Sequence, residues 1–467
     1  MTPKTAMQAI KRLTLIDTRN KIRIFFFEIL LWSFWYLAMF PGRVGYDTKV
    51  SLEMLRTGTS TDWWTGWYWR VLQVLSLNGT TVILFASFSY LLTVVSFYWV
   101  VNALPMSNQK RRLLARTVIA LPILPVFAMT IQHDIFLLCG LLIYFGLELR
   151  VAKREDISRR RFILLFILIV LLVLTTHQGL ILALYLILRA SIILGARFMT
   201  AILSLIVTLI FTLVSGYAID NTQEKDSGAF IPLLMDIKCI VQDPDSSVSK
   251  AEWEMLTKVL SEVKWKQPYR CDEINANDWL NLVKHSEIEL GEFVKTYLSL
   301  VVKNGEIAIM AHVARSNYVL PPPFFHRPPN QVNLDFSRPI GEGTNVALQN
   351  GSPLLHPSVD DPYVKVKPKL LMPLEYLAQI PIFFVNQASS FWGWGGLWLW
   401  PIIFYSLILR QFDKSKNYMH LCVPFLLLHF TLFSIGISST PRHVTPTIIV
   451  GLISLLAICI HLEPQKK

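Results

Sequence analysis

The groups in this chain that could do chemistry are a few carboxylates, imidazoles and guanidiniums set between long apolar runs. The first set lies in Pro41 to Arg70, PGRVGYDTKVSLEMLRTGTSTDWWTGWYWR. It offers Asp47 and Asp62, with Trp63, Trp64, Trp67, Tyr68 and Trp69 close behind. A carboxylate can take the proton from an acceptor hydroxyl. Further on, short polar turns carry His133-Asp134, Thr176-His177-Gln178 and Arg442-His443. A guanidinium keeps its charge and grips phosphate with two donors, and histidine titrates near neutral pH. His133, His177, His443, Arg442, Arg43, Tyr46 and Asp62 are therefore candidates for holding a phosphorylated substrate around Asp47. Asp47 and Asp134 are the pair that could ligate a divalent metal, Mg or Mn, although the sequence requires none. Each residue also has a structural use. Asp47 or Thr48 could cap a helix over Lys49 to Arg56, Asp62 could cap the Trp63 segment, and Arg43 could anchor at an interface.

Elements that would position these groups follow from composition. Of 467 residues, 53% are hydrophobic and 16% charged, and the mean hydropathy is +0.45. Repeated apolar runs of roughly 15 to 22 residues predict a polytopic helical membrane protein. The net charge of +12 does not point to nucleic acid. Between Asp220 and Lys369 stand 16 Lys/Arg against 20 Asp/Glu, leaving 28 against 12 elsewhere, mostly in short loops. That is the distribution of cytoplasmic loops in a membrane protein.

Ten spans are expected, near residues 22–40, 81–101, 117–131, 135–149, 162–175, 180–195, 198–218, 392–409, 419–436 and 444–461. Pro122 and Pro125 should bend or break the third. Basic clusters at Lys110 to Arg116, Arg150 to Arg161 and Arg410 to Lys416 place those loops and both termini inside. The first segment is long enough to span and stay, so no cleaved signal is expected. The organisation read from this is a cytoplasmic tail (1–21), a seven-span membrane domain (22–219) with outer loop 42–79, and a mixed extracytoplasmic domain (220–369). An interfacial or re-entrant segment (370–391) and a three-span membrane domain with a short cytoplasmic tail (392–467) complete it. This topology puts His133, Asp134, His177, Arg442 and His443 on the side of Asp47. Asp220 to Lys369 should contain helices over Ala251 to Val263 and Trp279 to Val302, then an extended Pro/Asn-rich run over Tyr318 to Pro368.

Cys139, Cys422 and Cys459 fall in apolar spans and read as core residues. Cys239 and Cys271 lie in the polar region and could form a disulfide if it faces an oxidising compartment. Walker loops, strand–helix GxGxxG, HExxH and GxSxG are absent.

The chain resembles the multi-spanning glycosyltransferases of the GT-C fold class, particularly bacterial membrane members. The resemblance rests on FPGRVGYDT (Phe40 to Thr48), TDWW (Thr61 to Trp64), LPILPVFAMTIQHDIF (Leu121 to Phe136), THQG (Thr176 to Gly179), MDIKC (Met235 to Cys239) and STPRHVTP (Ser439 to Pro446). It implies a glycosyltransferase of the cytoplasmic membrane. A sugar would pass from a polyprenyl-phosphate-linked donor to a glycan, lipid or protein acceptor at the outer face, among membrane lipids and without nucleic acid. On that resemblance Asp47 is the first-loop acidic residue and general base, and Arg442 is the basic residue near the last spans. The relatives often carry His-Pro where this chain has Trp63-Trp64, and Lys-Asp where it has His133-Asp134. Two other readings stand beside it. One is a polysaccharide polymerase or ligase, which would depend on outer-loop Arg and His. The other is a lipid-linked substrate transporter or flippase, which would want polar residues at mid-span.

Overall fold

The computed structural model describes residues 26–44, 46–58, 65–155, 157–194, 231–267, 289–316, 369–387, 391, 394–414, 417–435 and 441–462. The expected span over 198–218, the proline-rich run 318–368, Asp62 and Cys271 lie outside the described residues.

Among the described residues the architecture is all-α, apart from two short paired strands. The first half contains helices α1 (Phe26–Ala38), α2 (Tyr46–Thr57), α3 (Gly66–Leu75), α4 (Ile83–Ala103), α5 (Asn108–Ala120), α6 (Ile123–Ala128), α7 (Asp134–Ala152), α8 (Arg159–Val173) and α9 (Gly179–Leu194). Helices α10 (Ile231–Gln242), α11 (Lys250–Val259), α12 (Glu262–Lys266), α13 (Leu290–Lys303) and α14 (Gly305–Arg315) follow. The last four are α15 (Met372–Gln387), α16 (Gly395–Phe412), α17 (Val423–Ile435) and α18 (Thr445–Leu462). Strands β1 (Arg43–Val44) and β2 (Thr130–Ile131) pair in parallel.

At the centre stands α7, buried along its whole length from Asp134 to Leu149. An amphipathic helix would show a polar face; this one is apolar all round because α4, α8 and α18 cover it. Small residues let them approach. A Cβ on Gly140 would meet Val173 Cγ2 at 3.0 Å, and one on Gly146 would meet Trp99 Cδ1 at 2.5 Å. Aromatic side chains fix α1 to its neighbours: Trp35 Nε1 donates to Ile119 O at 2.8 Å, and Tyr90 OH donates to Trp32 O. Two inward charges are paired. Arg116 Nε donates to Glu28 Oε1 at 2.8 Å, and Arg189 makes a fork of 2.9 and 3.0 Å on Glu148.

Among the described residues two helices, α4 and α7, are long and apolar enough to cross a membrane, and five shorter ones are apolar. Large apolar side chains also stand exposed in rows: Leu91 (64%) and Val95 (65%) on α4, Leu188 (61%) and Ile192 (64%) on α9, Phe430 (64%) on α17.

Helices α10 to α14 enclose a second, smaller core around Leu234, Ile237, Leu256, Trp265, Phe293 and Leu300. The described part of this region is helical, against the mixed fold expected. The helix expected over 251–263 is interrupted at Leu260, whose extended backbone (φ −153°, ψ 139°) ends α11. Its start is fixed by a reciprocal cap: Ser249 Oγ accepts from Glu252 N while the Glu252 carboxylate accepts from Ser249 N at 2.7 Å. Cys239, on α10, is disulfide-bonded; Cys139, Cys422 and Cys459 are free. Cys459 is exposed, not a core residue as expected, because its side of α18 has no helix over it among the described residues.

Expectation and structure differ most over 117–131. No single helix runs there. Leu121 precedes a proline, takes an extended backbone (ψ 132°) and ends α5. Pro125 sits in the first turn of the six-residue α6, where its missing N–H is harmless. The chain then has room for β2 before α7.

Candidate functional site

A two-residue ladder builds the site. In β1 and β2, Arg43 pairs with Thr130 and Val44 with Ile131. Gly42 makes this approach feasible. Its φ is +128°, a backbone unfavourable to side chains, and a Cβ there would lie 2.8 Å from Ala86 Cβ. Directly after β1, Thr48 Oγ1 donates to Ile131 O. That bond explains a departure from expectation. The helix was expected over Lys49 to Arg56 with Asp47 or Thr48 as its cap. It begins at Tyr46, so Asp47 lies inside the first turn, and the Thr48 hydroxyl is spent on β2.

The end of β2 leads through Gln132 to His133 and Asp134. Asp134 is the first residue of α7, where the unpaired backbone N–H groups favour a negative charge. Its Oδ1 lies 3.2 Å from His443 Nδ1 and 3.5 Å from His133 Nε2. The exposures are 6% for His133, 1% for Asp134 and 5% for His443. Tyr68 of α3 sets its ring edge against His133, centroids 5.5 Å apart.

A third turn closes on the same place. Thr175 Oγ1 donates to Leu172 O at 2.7 Å in its own turn and lies 3.3 Å from His133 O, and Thr65 Oγ1 donates to Thr175 O at 3.1 Å. Thr65 also caps α3 by accepting from Tyr68 N, the role expected of Asp62. The fourth contribution is the 3-10 turn Pro441–Val444, which delivers His443. Gly395 at the start of α16 presses on that turn: a Cβ there would meet Val444 Cβ at 2.4 Å.

The structure thus brings together His133, Asp134 and His443, and lays the backbone of Arg43 to Thr48 alongside them. Of Arg43, Tyr46, Asp47 and Arg442 the backbone alone is described. His177 is exposed on the third turn and is not part of the buried group. The expected metal pair, Asp47 with Asp134, therefore lies partly outside the described side chains. The three groups within 4.8 Å of one another are His133, Asp134 and His443.

Sequence reasoning missed the threonines that pin these loops, Thr48, Thr65 and Thr175. It also missed a polar link elsewhere: Asp236, in the MDIKC stretch, accepts from Tyr297 OH at 3.2 Å and lies 3.4 Å from His312 Nδ1. His312 Nε2 is 2.6 Å from Phe433 O and so ties α14 to α17. A cavity of about 500 Å³ lined by Trp99, Arg150, Glu155, Arg161 and Leu165 sits at the other end of α7. Helical rise puts it about 24 Å from Asp134, too far to belong to this constellation.

Comparison with protein families, with characterised proteins and with solved structures found no match.

Proposed function

We propose that the chain is a multi-pass protein of the cytoplasmic membrane that transfers a sugar from a polyprenyl-phosphate donor to an acceptor at the outer face. The membrane reading is supported by the exposed apolar rows on α4, α9 and α17, which a soluble protein would bury. It is also supported by the length and apolar character of α4 and α7.

The observation that carries the activity is the β1–β2 register together with the Thr48 bond to Ile131. It sets the first-loop acid segment against a buried His–Asp–His group assembled from two other loops. Asp47 is the base that takes the acceptor proton as the new bond to the sugar forms and the bond to phosphate breaks. Arg442 holds the departing phosphate. Positioning and charge neutralisation supply the rate.

A polymerase or ligase reading gains from one feature: the described contacts in the site are made by His133 and His443. The flippase reading is weaker. The inward carboxylates Glu28 and Glu148 each carry an arginine partner, as structural ion pairs do.

The test is Asp47→Asn in correctly inserted protein, assayed for transfer from a polyprenyl-phosphate sugar. Loss of transfer with intact donor binding is expected. Full activity rejects Asp47 as base. A silent Asp47→Asn beside an inactive Arg442→Ala favours the polymerase or ligase.

A further inference from the structure

We propose that His133, Asp134 and His443 form a mononuclear site for a divalent first-row transition ion of the zinc type. The distances suit an ion shared by the three groups. A charge-assisted N–H···O⁻ bond is about 2.7–2.9 Å long. Here one oxygen, Asp134 Oδ1, has two imidazole nitrogens beside it: His443 Nδ1 at 3.2 Å, a long hydrogen bond, and His133 Nε2 at 3.5 Å, beyond the usual range. Two ligand atoms each 2.0–2.1 Å from a tetrahedral centre stand about 3.3–3.4 Å apart. The two measured edges fall on either side of that value. All three donor atoms lie within 4.8 Å of one another. The remaining edge therefore closes by at most roughly 1.5 Å, within the swing of an imidazole about its side-chain bonds.

Burial and chemistry agree. Three metal-ligating side chains stand together at 1 to 6% exposure, largely shielded from solvent. The donors come from two loops, the turn before α7 and the turn before α18, which are 309 residues apart. Two imidazoles and one carboxylate suit zinc and its neighbours; an all-oxygen set would suit magnesium. Three protein ligands leave the fourth position open, as in catalytic zinc centres. The backbone is already held there by the Thr48 bond to Ile131 O and by the β1–β2 ladder. The open position would take an anionic oxygen, and its assignment to the donor phosphate rests on the sugar-transfer reading. The metal site itself does not.

The experiment uses the full chain purified in detergent and stripped with a chelator, then titrated with Co²⁺ while the visible bands of tetrahedral cobalt are recorded. One equivalent of saturable binding is expected, displaced by Zn²⁺ and not by excess Mg²⁺. His443→Ala and His133→Ala, checked by size exclusion and melting, should each weaken binding at least roughly a hundredfold. No saturable spectrum with the unmutated chain, displacement by Mg²⁺, or unchanged affinity in both variants overturns the site. Stoichiometric metal in a protein without sugar transfer would uphold the site and sink the activity, so the two failures are distinguishable.

Discussion

Thr48→Val tests whether the first loop is truly held against the His133 turn. Valine keeps the shape and removes the hydroxyl that donates to Ile131 O. The residue is buried at 6% exposure, so water is a poor substitute donor. The net loss of a buried hydrogen bond is about 1 kcal/mol, and a carbonyl left without its partner adds about another 1. A loss of about 2 kcal/mol raises the population of undocked loop roughly 30-fold. Amide hydrogen exchange over residues 43–57 reads this directly, since local opening governs the rate. The expected result is exchange about 30-fold faster there, with α4 and the central helix α7 unchanged. Thr257→Val is the control: its exposed hydroxyl bonds only back to Trp253 and Glu254 within α11. Exchange over 43–57 that stays within about twofold of the unmutated chain would refute the reasoning. The loop would then be held by its ladder alone, and the approach of Asp47 to the site would not depend on Thr48.

Two further predictions concern elements that support the site or flank it. Gly395→Ala drives a Cβ into Val444, whose own Cβ it would meet at 2.4 Å, so it should displace the neighbouring His443. Cobalt affinity should fall while the α10–α14 unit keeps its exchange protection. In that unit, burial alone would raise the Glu252 carboxyl, but Lys303 Nζ at 2.8 Å, the Ser249 backbone N–H and Ser299 hold it at about 2 instead of 4.5. Because the folded value is depressed, its stabilisation is complete above pH 4.5 and lost as pH falls towards 2. The gap corresponds to about 3 kcal/mol. Exchange of α11 and α13 amides should accelerate over that window, and Glu252→Gln should remove the acceleration by being destabilised already at pH 7. A Gln variant as protected as the parent at pH 7 would refute it.

The helices were legible because their signal is local. Apolar runs and basic loops predicted α4, α7, α8, α9 and α18 to within a few residues. Pro122 and Pro125 marked the break before β2. The strand pair was not legible: two residues on each side carry no periodicity, and what selects them is the pairing partner 87 positions away. The caps went wrong for a similar reason. A side chain's local option was outbid by a distant acceptor, so Thr48 bonds Ile131 and does not cap α2. At α3, Thr65 both caps the helix and reaches Thr175. Which nitrogen meets which oxygen was not legible, because it depends on side-chain packing between turns 309 residues apart.

The site's composition has a physical logic that follows from where it sits. Each of its four contributions comes from a turn at a helix end, where backbone groups are unsatisfied and need partners. Threonine hydroxyls supply those partners at Ile131, Leu172 and Thr175 without adding charge. Among the described side chains, the ionisable groups at the centre are His133, Asp134 and His443. A lysine or arginine used as a loop pin there would compete for the Asp134 carboxylate and pull it from His133 and His443. Uncharged pins outside and a compact ionisable centre inside are what a metal- or phosphate-binding pocket needs. Replacing Thr175 by lysine should therefore abolish cobalt binding even if the loop stays docked, whereas Thr175→Ser, which keeps the hydroxyl, should preserve it.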